Sequence, residues 1–97
     1  MPYKIVLRPL AALEIIEAFD WYETQKTGLG EQFLNSLDVF YEKLLVNPHS
    51  HSYYSKPIRQ GTLYKFPYSV VYEIFDVTIV IYSVFMAKQQ PSKMRTF

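Results

Sequence analysis

The chain is 97 residues long, with a formal net charge of +1, 49% hydrophobic and 18% aromatic side chains, and no cysteine. This length suffices for one domain and no more. The missing cysteines exclude disulfides and thiolate-bound metal, the near-neutral charge argues against a protein that holds nucleic acid by charge alone, and no apolar run approaches the roughly 18 residues of a membrane span.

Tyr3, Ile5 and Leu7 alternate with Lys4, Val6 and Arg8, a period of two that predicts a short strand ended by Pro9. This strand pattern begins at once, without the long apolar core of an export signal, so a cytoplasmic protein is expected. From Leu10 the period changes to that of a helix. Ala12, Ile15, Ile16, Phe19 and Tyr22 are expected on one buried face, with Glu14, Glu17 and Gln25 away from it. Pro9 suits the first turn, and Gly28 supplies a left-handed stop. A second helix follows at once, with Phe33, Leu37, Phe40, Tyr41, Leu44 and Leu45 as its apolar stripe and Asn47-Pro48 as its end. So short a connection predicts an antiparallel hairpin. Neither stripe is covered by the other helix alone, so a sheet must lie under the pair.

Pro48 to Pro57 reads as a polar, Tyr-rich loop. Three strand signals follow: about Ile58 to Phe66, Ser69 to Phe75, and Thr78 to Phe85, with Pro67 and Asp76 at the breaks. The third is apolar on both faces, as expected of a central strand or one covered by another chain. The pattern is lost in the polar tail from about 86 to 97. The expected architecture is α+β, one domain over 1–97: an N-terminal strand, a helix hairpin packed on a small sheet, and a three-strand meander.

Charge is divided along the chain. Between Leu10 and Asn47, Glu14, Glu17, Asp20, Glu23, Glu31, Asp38 and Glu42 face only Lys26 and Lys43. From Lys56 onward, Lys56, Arg59, Lys65, Lys88, Lys93 and Arg95 face only Glu73 and Asp76. Solvated faces explain such a division as readily as binding does. Gly28, Gly30 and Gly61 do not form a phosphate-binding spacing, and His49 and His51 share one loop without further ligands, so neither cofactor nor metal is expected. Arg59, Tyr64 and Lys65 are the residues from which metal-free RNA cleavage could be built: a guanidinium to clamp phosphate, a phenol to stack or donate a proton, an ammonium to steady developing charge. Ordinary decoration of a strand is the reading that spacing alone favours for them, because charged strand faces are common. Trp21, Tyr22, Phe66 and Tyr68 read first as core packing where helix meets sheet. Any of these rings left exposed, with Tyr82 and Phe85 of the last strand, would anchor a partner.

Leu13 to Ile16 followed by Trp21-Tyr22, then Gly28-Leu29-Gly30 with Phe33 and Leu34, Asn47-Pro48, Arg59, Phe66-Pro67-Tyr68, Val71-Tyr72 and Ser83-Val84-Phe85 are short pieces. Their order and spacing over nearly the whole chain resemble the RelE/ParE superfamily of toxins from bacterial toxin–antitoxin pairs, with the ParE branch nearer. The resemblance implies a helical hairpin on a mainly antiparallel sheet, a cognate antitoxin as partner, and a target that is either DNA gyrase or ribosome-bound mRNA. A homo-oligomer is left open. Family nucleases carry a basic or histidine-containing cluster after the last strand. Here Met86 and Gln89 stand where His and Arg are expected, and neither can move a proton or carry charge, leaving Lys88 as a substitute cation. The expectation is therefore a ParE-like toxin that binds a protein target. The alternatives are a RelE-like endonuclease using Arg59, Tyr64, Lys65 and Lys88, and a degenerate member without toxicity.

Overall fold

A computed structural model describes residues 3–87. The elements in chain order are β1 (Lys4–Leu7), α1 (Pro9–Gln25), α2 (Leu29–Val46), a 3-10 turn (Pro48–Ser50), β2 (Tyr53–Ser55), β3 (Ile58–Thr62), β4 (Tyr68–Phe75) and β5 (Thr78–Met86). They form the expected α+β architecture: a 5-stranded sheet in the order β1-β5-β4-β3-β2, with the helical hairpin on one face. Only β1 pairs in parallel, with β5; the other pairings are antiparallel. The two-faced apolar strand β5 is interior to the sheet, between β1 and β4. The polar tail expected from about 86 begins at the end of β5; its part beyond 87 lies outside the described residues.

The helix-facing side of the sheet carries Tyr68, Val70 and Tyr72 of β4 and Ile79, Ile81 and Val84 of β5, all buried against Ala11, Ala18, Phe33, Leu37 and Leu44. Leu37, Phe40 and Leu44 keep α2 on the face its periodicity predicts, whereas Leu45 of the same expected stripe is exposed. The face of α1 differs from the expectation. Ala11 and Ala18 are its buried residues, with Ile15 and Tyr22 packed beside them, while Ile16 is 57% exposed. Small alanines let α1 lie close to its neighbours, and the larger Leu10, Leu13 and Ile16 are left outside. Glu14, expected outward, turns in to β5.

One ring cluster ties hairpin to sheet. The Tyr22 ring lies 5.6 Å from Phe33 and 5.0 Å from Phe66, and Phe33 lies 5.2 Å from Tyr68. The first pair is stacked and the other two are edge-on, and contacts of these kinds add about 0.5–1.5 kcal/mol each to the area they bury. The turn between the helices is held by Glu23, whose carboxylate accepts from Gly28 N at 3.1 Å and Gly30 N at 2.8 Å, filling the otherwise unbonded start of α2. Gly28 is left-handed as expected (φ 89), although it stands at the start of α2 and α1 has already ended at Gln25.

Two segments depart from the sequence pattern. The polar loop before Pro57 contains the 3-10 turn and the edge strand β2. The strand expected to reach Phe66 stops at Thr62, because Leu63 N donates to Tyr68 O, Tyr68 N donates to Phe66 O, and Lys65 is left-handed at φ 72. No helix among the described residues is long and apolar enough to cross a membrane.

Candidate functional site

Arg59 and Gly61 of β3 meet the 3-10 turn and the end of α2. Arg59 is held fast there. Its Nη1 donates to His51 O at 2.7 Å and to His49 O at 3.3 Å, and its Nη2 donates to the Tyr53 hydroxyl at 3.1 Å. The guanidinium carbon also lies 4.2 Å from the Tyr53 ring centroid. A guanidinium so engaged fastens the 3-10 turn and β2 to β3, and most of its fork is unavailable for a bidentate clamp on phosphate.

His51 is the centre of this cluster. Its ring packs 5.1 Å from Phe40 and 6.1 Å from Tyr72, and its Nδ1 lies 3.3 Å from the Tyr72 hydroxyl. Tyr72 gives its one proton to Pro48 O at 2.7 Å, so the contact with His51 uses a proton on Nδ1. Burial, then the positive charges of Arg59 and Lys43, push the imidazole below its ordinary value and hold it neutral. The ring fits only because position 61 has no side chain. A Cβ on Gly61 would stand 2.5 Å from His51 Cδ2 and 2.6 Å from Phe40 Cε1. The sequence carried one sign of this arrangement, a glycine inside a strand, which marks a close approach. His51 itself read as an ordinary loop residue.

Tyr64 and Lys65 lie elsewhere, in the loop after β3. That loop is fixed to α2 by Ser36 Oγ, which donates to Tyr64 O at 2.8 Å. Tyr64 is 75% exposed, and Lys65 Nζ sits 5.5 Å from its ring centroid. Arg59, Tyr64 and Lys65 therefore have separate anchors and do not converge on one phosphate-sized point. Lys88 lies outside the described residues.

Among the aromatic partner candidates, Trp21 is 53% exposed on α1. Phe66 and Tyr68 are buried and Tyr22 is packed against them, so in this chain those rings act as core. Tyr82 and Phe85 are half-buried on β5, and the Tyr82 hydroxyl donates to Glu73 Oε1 at 2.6 Å. No group of three or more His, Cys, Asp or Glu among the described residues is placed to hold a metal.

No protein-family model matches the chain, and no curated protein sequence matches it significantly. Solved structures do. A chain of the chromosomal ParDE TA system from P. aeruginosa superimposes with a TM-score of 0.75 at 14% identity, covering 89% of this chain and 96% of that one. A mutant of the E. coli toxin RelE in the free state superimposes with a TM-score of 0.58 at 19% identity, covering 92% of this chain and 87% of that one. The chain has the α+β fold of the RelE/ParE superfamily. The likeness to the ParDE chain is the greater of the two.

Proposed function

We propose that the chain is the toxin of a type II toxin–antitoxin pair, ParE-like in mode, acting in the cytoplasm by binding a protein target such as DNA gyrase and neutralised by a cognate antitoxin. The observation that carries this reading is the superposition on the ParDE chain over 96% of that chain's length at a TM-score of 0.75. The state of Arg59 supports a non-enzymatic mode, since its guanidinium is spent on His49, His51 and Tyr53 and not aimed with Tyr64 and Lys65 at a common point. The likeness to RelE favours, more weakly, a second reading as a ribosome-dependent mRNA endonuclease.

Induction in a bacterial host without an antitoxin tests both. The proposed mode gives growth arrest with lost supercoiling or DNA damage and intact messages. Cut messages that disappear with Tyr64→Ala and Lys65→Ala, both exposed loop positions, would replace it with the endonuclease reading. Unimpaired growth would remove toxicity altogether.

A further inference from the structure

Residues 48–57 run along the outer edge of β3, and little of this segment turns inward. Pro48 is buried, His51 and Tyr54 are half-buried, and the other side chains are exposed. The backbone pairing is equally sparse. Tyr53 opposes Arg59, Ser55 opposes Ile58 with a register shift between them, and Gln60 N donates to Ser52 O at 3.1 Å. Low burial and exposed backbone bonds are the marks of a unit that opens apart from the rest of a fold. Two side chains do most of the fastening. Arg59 reaches outward from β3 to the carbonyls of His49 and His51, and the His51 ring reaches inward to the space that Gly61 leaves beside Phe40.

We propose that residues 48–57 are a latch on β3 that opens when His51 gains a proton, baring the strand edge and freeing the Arg59 guanidinium while the hairpin and β4–β5 stay folded. The neutral ring carries its proton on Nδ1, which lies 3.3 Å from the Tyr72 hydroxyl and 3.4 Å from Ser50 Oγ. A second proton goes on Nε2. That nitrogen faces Gly61, where a Cβ would stand 2.7 Å away. It has no hydrogen-bond partner among the described residues. The elements around the ring do not answer the added charge. From α2 come Phe40 and Lys43, from β3 Arg59, from β4 the Tyr72 phenol, and from β2 the Tyr53 phenol, which is bonded to Arg59. His49 of the 3-10 turn and Glu42, the acid beside Lys43, are exposed, and the two charges that act on the ring are both positive. An imidazolium is therefore better solvated outside the notch than in it. Arg59 bonds to the carbonyl of the same residue whose ring must leave. Ring and guanidinium are released together. What is uncovered is chemically defined: a strand edge with unpaired backbone groups, and a planar cation with its donors free. None of this rests on the toxin reading, since the latch is observed without reference to growth.

Amide hydrogen exchange of the intact protein, followed by NMR and corrected for intrinsic rates, tests the latch. Gln60 N reports on the β2–β3 edge, and Val70 and Ile81 report on the core. Gln60 should exchange faster than the core amides, by a route insensitive to low urea, because its opening exposes little surface. A histidine of ordinary value 6.5 in the open state limits the loss of Gln60 protection to about thirtyfold between about pH 7.5 and about pH 5. A several-fold loss, up to that limit, is expected. His51→Gln should abolish this response to pH. Lys43→Glu, a change at an exposed position, replaces a repelling charge with an attracting one and should reduce the response without removing it. Gln60 exchange that rises with urea in step with Val70 and Ile81, that ignores pH, or that responds to pH equally in the parent and both variants would each overturn the proposal.

Discussion

The carboxylate of Glu14 accepts a hydrogen bond from the Ser83 hydroxyl at 2.7 Å and another from Val84 N at 2.9 Å, joining α1 to β5. The bond falls where the β4–β5 register slips. Val71 opposes Ser83 but Tyr72 opposes Ile81, so Tyr82 is an extra residue on β5. A bulge leaves backbone donors out of the ladder, and Glu14 takes up one of them. Glu14→Ala should therefore destabilise the fold by about 1–3 kcal/mol, by leaving buried donors unmet, with Glu14→Gln milder because an amide oxygen still accepts. Urea unfolding midpoints of the two variants check the order.

Gly61→Ala should cost about 1–3 kcal/mol through overpacking, since the new methyl would meet both His51 and Phe40. Removing the imidazole relieves one of the two clashes. Gly61→Ala and His51→Ala should consequently be non-additive, the double variant losing less than the sum of the singles. An additive cycle would show that the ring does not occupy this space.

Acid should weaken the protein through His51. The imidazole is held below its ordinary value of 6.5 in the folded state, so the unfolded chain binds the proton more readily. Stability is then full above about pH 6.5 and declines as the pH falls below it. Between about pH 7 and pH 5 the unfolding midpoint should drop, and His51→Gln should flatten that dependence. Equal slopes in parent and variant would sink the assignment.

Alkali should act through two tyrosines with opposite mutational signatures. Burial pushes Tyr72 and Tyr41 up to about 12, with the charge of Asp38 adding to the effect at Tyr41 and Arg59 opposing it at Tyr72. Both groups keep their protons longer in the folded state, so this part of the stability is present below pH 10 and lost as the pH rises through 10 to 12. The Tyr72 hydroxyl is bonded to Pro48 O, and Tyr72→Phe should cost about 1–2 kcal/mol. The Tyr41 hydroxyl is buried with no hydrogen-bond partner among the described residues, and Tyr41→Phe should be neutral or stabilising. Melting curves of both variants at neutral and alkaline pH measure the contrast.

The helices, the meander and the interior place of β5 were legible because periodicity and two-faced apolarity report directly on burial. The buried face of α1 was not. Leu10, Leu13, Ile16 and Trp21 make the helix apolar on more than one side, and nothing local says that the alanines go inward. Strand β2, Tyr53–Ser55, is too short to show a period. Glu14 read as a solvated acid because its partners lie 69 and 70 positions away. The separate anchoring of the candidate residues was hidden for a related reason. Arg59, Tyr64 and Lys65 are neighbours in sequence, but the left-handed Lys65 and the early end of β3 send them to different anchors. Only Gly61 hinted at the His51 cluster.

The parallel pairing of β1 with β5 sets an order on synthesis. Lys4 N donates to Val77 O and Arg8 N to Ile81 O, so the N-terminal strand is held by the strand that follows every other in the described chain. While the ribosome is still translating, β1 and the inward faces of both helices have no sheet to rest on, and a chain stopped before Thr78 has neither β1 seated nor β4 paired on both sides. Folding is therefore deferred until nearly all of these residues have emerged, and an unfinished copy cannot close its sheet.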